Sequence, residues 1–239
     1  MNGMLVIDKP KGLTSAQVVG IIKKRFNLKK VGHGGTLDPL ATGVLPIFIN
    51  QATKLSSYLL NSDKVYEGTF LLGVETDTQD ICGRIIAENS VVISDLDIQE
   101  AMKTFLGPQQ QLPPMYSAIK KKGKPLYHYA RKQQEVERMP RPIHIFDFEF
   151  LSRKDKEVDF RVHCSKGTYV RTLCSDLGKK LGTYACVKDL KRIRTGILSM
   201  EEAIEFEKLN SQNVMFAPHY KDIKELYNRL GTVLKNQPL

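Results

Sequence analysis

The stretch that most constrains this chain is VGHGGTLDPLATGVLP, Val31 to Pro46, in which three glycines precede a single acid, Asp38, and one follows it. Glycine frees the backbone to take positive φ and to pass close to a ligand. Leu37 and Pro39 flank the acid, and an apolar run from Val44 to Ile49 comes next. The pattern therefore predicts a short loop feeding a buried strand, with one carboxylate held in a fixed direction. Loops pinned to rigid elements are where catalytic groups are commonly found. The same residues also suit a plain Asx turn before proline, and spacing alone leaves both readings open.

At 239 residues and 41% hydrophobic content, the chain supports one large domain or two small ones with a real core. Cys82, Cys164, Cys174 and Cys186 form no CxxC pair and no frame with the five histidines, so reduced buried thiols are expected, with no metal site and no disulfide scaffold. No leader precedes the first apolar strand, Met4 to Ile7, and no apolar run approaches the ~18 residues that a membrane span needs, so a cytoplasmic protein is expected. The formal charge is +10, and between Ile119 and Arg141 eight Lys or Arg stand against two Glu. Such a block suits a solvated surface. Tyr116, Tyr127 and Tyr129 set among the cations turn the reading toward nucleic acid, because flat rings beside positive charge fit unpaired bases as well as phosphates.

Taken in order, Thr14 with Gln17 makes a capping box for a helix ending in KKRFNLKK, and Asn50 is placed to cap a helix through Leu60. Lys64 to Leu72 alternates as a strand with Tyr66, Phe70 and Leu72 on one face. GVETDTQDICG reads as an acidic turn region. Ser94 opens a helix closed by Gly107, with Leu96, Ile98, Ala101, Met102, Phe105 and Leu106 as its apolar positions. Ile143 to Leu151 and Val158 to Cys164 form a hairpin. Val170, Leu173, Cys174, Leu177 and Leu181 define an amphipathic helix with Gly182 past its end. Arg171 lies in its first turn, where the macrodipole disfavours a cation, so it needs a partner, and a surface pair with Asp176 or Asp189 would suffice. Ala185 to Ile197 is extended and basic, Ser199 with Glu202 forms another capping box, and Asp222 to Leu234 is a final helix. Without regular βαβ alternation, the expectation is an α+β fold on a mixed, largely antiparallel sheet flanked by helices.

Four of these pieces, DKPKGLTS, GHGGTLDPLATGVLP, KVYE and SKGTYVRTL, occur in the order and character of the motifs of the TruB family of tRNA pseudouridine synthases, which the chain resembles. The resemblance implies a pseudouridine synthase catalytic fold over 1–198 with a basic RNA-binding insert at about 108–141. It also implies that 199–239 is a short helical extension, too short for the RNA-binding PUA domain of many relatives. The implied activity is isomerisation of uridine 55 in the TΨC loop of tRNA, by a monomer that uses no metal and no cofactor. Asp38 is then the nucleophile, Arg171 its ion-pair partner, and Tyr66 the ring that stacks on the target uracil and helps to remove the C5 proton. His33 contacts the RNA where the base is flipped out, Lys9 and Pro10 shape the site, and Tyr169 lies beside Arg171. Lys191 and Arg192 border the pocket, and Lys120, Lys121 and Lys122 belong to the RNA-binding insert. Gly34 stands where many relatives have threonine, so one hydroxyl contact is missing, with a small effect expected. The chemistry is self-sufficient: substrate and product are isomers, and an Asp of ordinary pKa, ~3.9, is ionised and nucleophilic at neutral pH. The alternative is a non-catalytic tRNA-binding or tRNA-folding protein with the same surface. A DNA-binding regulator would need a helix-turn-helix or similar reader, and none is visible.

Overall fold

The computed structural model describes residues 2–121, 123–210 and 220–235. The chain opens with β1 (Gly3–Lys9), buried nearly throughout, as expected of a strand whose apolar run does not alternate. Thr14 caps α1 (Ser15–Arg25) through the capping box: its hydroxyl accepts from the Gln17 amide, and the Gln17 side chain accepts from the Thr14 amide. β2 (Val31–His33) and β3 (Thr42–Ile49) pair antiparallel, so the Asp38 loop joins neighbouring strands. A 3-10 turn, Asn50–Leu55, then runs into α2 (Ser56–Asn61). The Asn50 cap expected for this helix is not made. Asn50 sits at φ +52°, and its Oδ1 accepts from the Lys30 amide at 3.1 Å, so the side chain closes a turn against the preceding strand instead.

β4 (Lys64–Leu72) buries Tyr66, Phe70 and Leu72 on one face, as the alternation predicted. A small ribbon follows, β5 (Val74–Thr76) with β6 (Ile85–Glu88). α3 (Asp95–Lys103) is capped by Ser94, with Asp97 closing the box. It ends at Thr104, short of Gly107. Ile98, Ala101 and Met102 take its inner face, which leaves Leu96 and Leu106 exposed rather than in the core. β7 (Gly107–Gln111) leads into the basic segment, which carries the ribbon β8 (Lys120–Lys121) and β9 (Lys124–Pro125) and the short α4 (Leu126–Ala130). β10 (Arg141–Lys154) and β11 (Glu157–Cys164) form the expected hairpin, with Asp155 at φ +55° in its turn. α5 (Val170–Lys180) and β12 (Ala185–Thr195) follow.

Beyond β13 (Leu198–Ser199), a 3-10 turn at Met200–Glu202 has no side-chain cap, so the Ser199 to Glu202 capping box does not form. Glu202 is drawn to cations instead, at 3.2 Å from Lys221 and 2.6 Å from Arg229. β14 (Ile204–Glu205), α6 (Phe206–Asn210), β15 (Tyr220–Asp222) and α7 (Ile223–Lys235) complete the described chain. Among the described residues no helix is long and apolar enough to cross a membrane.

In space the chain forms two units, Met1–Val65 with Lys191–Leu239, and Tyr66–Leu190. In the first, strands run in the order β14-β1-β3-β12, with β2 on β3, β15 on β1 and β13 on β12. The β1/β14 and β3/β12 pairs are parallel and the other pairs antiparallel, which makes the sheet mixed. Its core gathers Met4, Val6, Val44, Phe48, Leu55, Leu59, Leu198 and Leu226. In the second unit the order is β4-β11-β10-β7, with helices beside it, so the fold is α+β as expected. Phe160 is the centre of that unit's aromatic packing, 5.6 Å from the Phe70 ring and 5.8 Å from the Phe148 ring. Of the thiols, Cys164, Cys174 and Cys186 are buried as expected, but Cys82 is exposed, because it sits on the turn between β5 and β6 rather than in a strand. Phe160→Ala should cost about 3–5 kcal/mol of stability, read from urea unfolding, since the ring is fully buried. A loss under ~1 kcal/mol would show that the cluster is not a packed core.

Candidate active site

Asp38 is half-buried, and its loop is tied down on every side by main-chain hydrogen bonds. Ser15, the first residue of α1, uses its buried hydroxyl twice on Leu37, accepting from the amide at 2.8 Å and donating to the carbonyl at 3.1 Å. On the other side of the acid, the Pro39 carbonyl accepts from the Gly12 amide at 2.8 Å. The Asp38 carbonyl itself accepts from Ala41 at 3.1 Å. The polar turn DKPKGLTS thus folds against the Gly-rich loop and fixes the backbone on both sides of one carboxylate. Two glycines of the loop are needed for this path. Gly35 has φ +137°, and Gly43 has φ +98° with its Cα so close to the β12 backbone that a Cβ would strike Arg192.

Two cations of the same unit lie under the loop. Lys9 is fully buried, and its ammonium donates to the carbonyls of Pro10 at 2.7 Å, Leu13 at 2.6 Å and Pro39 at 3.5 Å. Burial lowers its pKa from 10.5 to about 8, against the pull of the Asp38 carboxylate, with Arg192 pushing the same way as burial. Arg192 is 1% exposed, and its guanidinium donates to Val44 O at 2.9 Å and Gly35 O at 3.1 Å. His33, half-buried at the end of β2, has its pKa lowered by burial and then by Arg192, which keeps the imidazole neutral at pH 7. Its Nδ1 is buried with no hydrogen-bond partner among the described residues. Pro10 is half-buried, and Lys191, next to Arg192, is exposed.

Tyr66, Tyr169 and Arg171 belong to the second unit. Tyr66 projects from β4 and is 9% exposed. Tyr169 caps α5 through its backbone: its amide donates to Gln111 Oε1 at 2.8 Å and its carbonyl accepts from Gln111 Nε2 at 3.1 Å. Arg171 is buried rather than on the surface. Its guanidinium donates to Thr78 O at 2.6 Å and Tyr116 O at 2.8 Å, and its Nε lies 3.8 Å from Asp80 Oδ2. Asp80 is held in turn by the Thr78 hydroxyl at 2.8 Å and the Cys82 amide at 3.0 Å. Neither Asp80 nor Gln111 stood out in the sequence. Asp80 lies in an acidic turn where any of three acids could be structural, and Gln111 carries no charge pattern at all.

The basic segment leaves the sheet at Gln111 and returns at Arg141, which pairs with it. Lys120 is exposed, Lys121 donates to Glu137 O at 2.7 Å, and Lys122 lies outside the described residues. Of the three tyrosines in this stretch only Tyr127 is exposed, with Arg131 5.4 Å from its ring centre. Tyr129 is half-buried and donates to Lys121 O at 3.2 Å.

Lys9 has a definite pH signature. Between pH 8 and 10.5 the unfolded chain holds this proton while the folded chain has released it, so the Lys9 contribution to stability increases as pH rises through that window. The difference in urea midpoint between the wild type and Lys9→Met should therefore shift in favour of the wild type from pH 8 to 10; a pH-independent difference would mean that the ammonium titrates normally. Gly34 has no room for a threonine as the loop stands, because a Cβ there would lie 2.9 Å from Phe48 Cε2 and 3.3 Å from Pro46 Cβ. Gly34→Thr should lose about 1–3 kcal/mol by overpacking, measured by thermal unfolding, and a neutral or stabilising result would contradict the packing described.

The profile of the TruB family pseudouridylate synthase N-terminal domain matches residues 23–170, and that of the tRNA pseudouridylate synthase B C-terminal domain matches residues 171–234. The tRNA pseudouridine synthase B of Syntrophotalea carbinolica is 45% identical over 239 residues, covering 100% of this chain and 76% of the relative. That of Alkaliphilus oremlandii is 48% identical over 211 residues, 88% of this chain and 71% of the relative. Among solved structures, a crystal structure of a Cbf5-Nop10-Gar1 complex matches with TM-score 0.70 and 33% identity, over 87% of this chain and 53% of that chain. The chain therefore spans about half the length of the structural relative. With profiles, relatives and fold agreeing over most of its length, the chain belongs to the TruB family of pseudouridylate synthases.

Proposed function

We propose that this protein is a tRNA pseudouridine synthase that converts uridine 55 in the TΨC loop to pseudouridine, with Asp38 as its nucleophile. The observation that carries the reading is the Asp38 loop, a single carboxylate whose neighbours on both sides are tied to buried groups, in a chain of this family. Such fixation suits a group that must meet one carbon of one nucleotide. A near-attack geometry requires the reacting atoms to be about 3–3.5 Å apart and aligned.

The reaction breaks the bond between N1 and C1′ and joins C5 to C1′, with the C5 proton lost and a proton gained at N1. No atom is added or removed overall. The target nucleotide leaves its stack at a cost of a few kcal/mol, which base–aromatic stacking partly recovers. Asp38 adds to the flipped nucleotide as a carboxylate, frees the uracil from its bond to the sugar, and leaves when C5 has been joined. To Tyr66 we assign the aromatic face for the base and help in removing the C5 proton. Arg171 supplies a fixed cation for the negative charge of the site. The neutral His33, half-buried at the end of β2, suits a contact with the RNA beside the flipped base. Exposed Lys120 and Lys191, and Tyr127 with Arg131, offer phosphate and base contacts to the arm.

The fold by itself would also serve a protein that binds and refolds tRNA without modifying it. Asp38→Asn separates the two readings. Pseudouridine formation in a TΨC stem-loop, followed by tritium release from C5-labelled uridine, should fall by at least about 10³-fold. Affinity for the stem-loop should stay within about threefold, under ~1 kcal/mol. Turnover near that of the wild type would refute the nucleophile, and a wild type with no turnover would favour the non-catalytic reading.

A further inference from the structure

We propose that Arg192 is a positioning residue that holds the two ends of the Asp38 loop together, and that it acts on the reaction through that loop rather than by contact with RNA. The proposal rests on the reading of Asp38 as the nucleophile. The resemblance to the family placed Arg192 with Lys191 in a basic strip bordering the pocket, as one of two similar RNA-facing cations. The structure separates them: Lys191 is exposed, whereas Arg192 is 1% exposed and is among the largest fully buried side chains of the chain.

The guanidinium closes the loop at its mouth. Nε donates to Val44 O at 2.9 Å, where β3 resumes, and Nη2 donates to Gly35 O at 3.1 Å, where the chain has just left β2. Asp38 lies between these two points. The backbone of Arg192 takes part as well, since it is in parallel register with Gly43, whose positive φ and missing Cβ allow that approach. On the other side Gly35 lies in ordinary contact with the guanidinium, a Cβ there being 3.4 Å from Arg192 Nη1, and what it needs is its φ of +137°. Gly43 thus has a specific purpose, which is to let the end of the loop lie against the Arg192 backbone.

Among the described residues Arg192 makes no ion pair. A buried cation whose partners are main-chain carbonyls is costly to desolvate, and an apolar side chain in its place would leave those carbonyls without these donors. What the guanidinium adds is geometry, because its planar fork presents N–H groups in different fixed directions. An ammonium at the same place would have to reach both carbonyls from one nitrogen, whereas Nε and Nη2 reach them from two separate atoms. Lys9 and Ser15 fix the residues beside Asp38, and Arg192 fixes the span within which they lie.

The test compares Arg192→Lys with the wild type and Asp38→Asn on a TΨC stem-loop, under single-turnover conditions at saturating RNA. The account expects the Arg192→Lys rate constant to fall by about 10–100-fold with the Kd for RNA changed less than about threefold, since a misplacement near 1 Å costs on the order of 10²-fold. Amide exchange in the 35–43 segment should rise while that of β1 and β3 is unchanged. A normal rate, or a loss confined to RNA affinity, would overturn the proposal in favour of a dispensable or RNA-contacting arginine. A uniform rise in exchange would overturn it in favour of a general stabilising role. If the variant does not fold, the wild-type protein still decides the question by NMR of the arginine Nε–H signal of residue 192. A slowly exchanging signal that does not move on addition of stem-loop supports the clamp, and one that shifts as a phosphate contact does would refute it. Should Asp38→Asn keep its turnover, the nucleophile reading fails, and the NMR result still reports on the clamp by itself.

Discussion

A lone carboxylate on a flexible loop is a poor catalyst, so everything in the first unit turns on how firmly the Asp38 loop is held. It is held by main-chain hydrogen bonds from three directions: the Ser15 hydroxyl on Leu37, the Gly12 amide and Lys9 ammonium on Pro39, and the Arg192 guanidinium on Gly35 and Val44. These anchors come from β1 and the turn after it, from α1, and from β12 more than 140 positions later. The mixed sheet explains how they meet, because β3 lies between β1 and β12 and carries the C-terminal end of the loop.

The same device recurs. Lys64 is buried with its ammonium on the carbonyls of Leu59 and Leu60 at the end of α2, and Arg171 is buried on those of Thr78 and Tyr116. Lys9, Lys64, Arg171 and Arg192 are thus cations whose donors are used inside the protein on main-chain carbonyls. Part of the +10 formal charge is therefore structural and not available to a polyanion. Taking such a cation out of water costs free energy, and burial accordingly lowers the pKa of Lys9.

Much of this was legible in the sequence. Local signals were reliable where both partners are neighbours: the Thr14 and Gln17 box, the alternation of Tyr66, Phe70 and Leu72, the amphipathic α5, and the Asp38 loop feeding a buried strand. The two caps that failed share one cause, which is a distant partner. Asn50 had the chemistry of a cap but Lys30 offered its amide, and Glu202 suited a capping box but Lys221 and Arg229 lay closer to its carboxylate. Arg171 and Arg192 look like surface cations in a linear chain because nothing local shows that carbonyls will gather round them. Asp80 and Gln111 were invisible for the same reason, since each acts on a residue more than 55 positions away.

Family membership supplies the reaction class, and the loop supplies the reason why this chain is suited to it. The most direct measurement is a crystal structure of the protein with a TΨC stem-loop. The account predicts a flipped target nucleotide with C1′ or C6 about 3–3.5 Å from an Asp38 carboxylate oxygen, the distance of a near-attack arrangement, and the 35–44 loop unchanged around Arg192. A target nucleotide left in its stack, or one flipped against a part of the surface that Asp38 does not face, would contradict it.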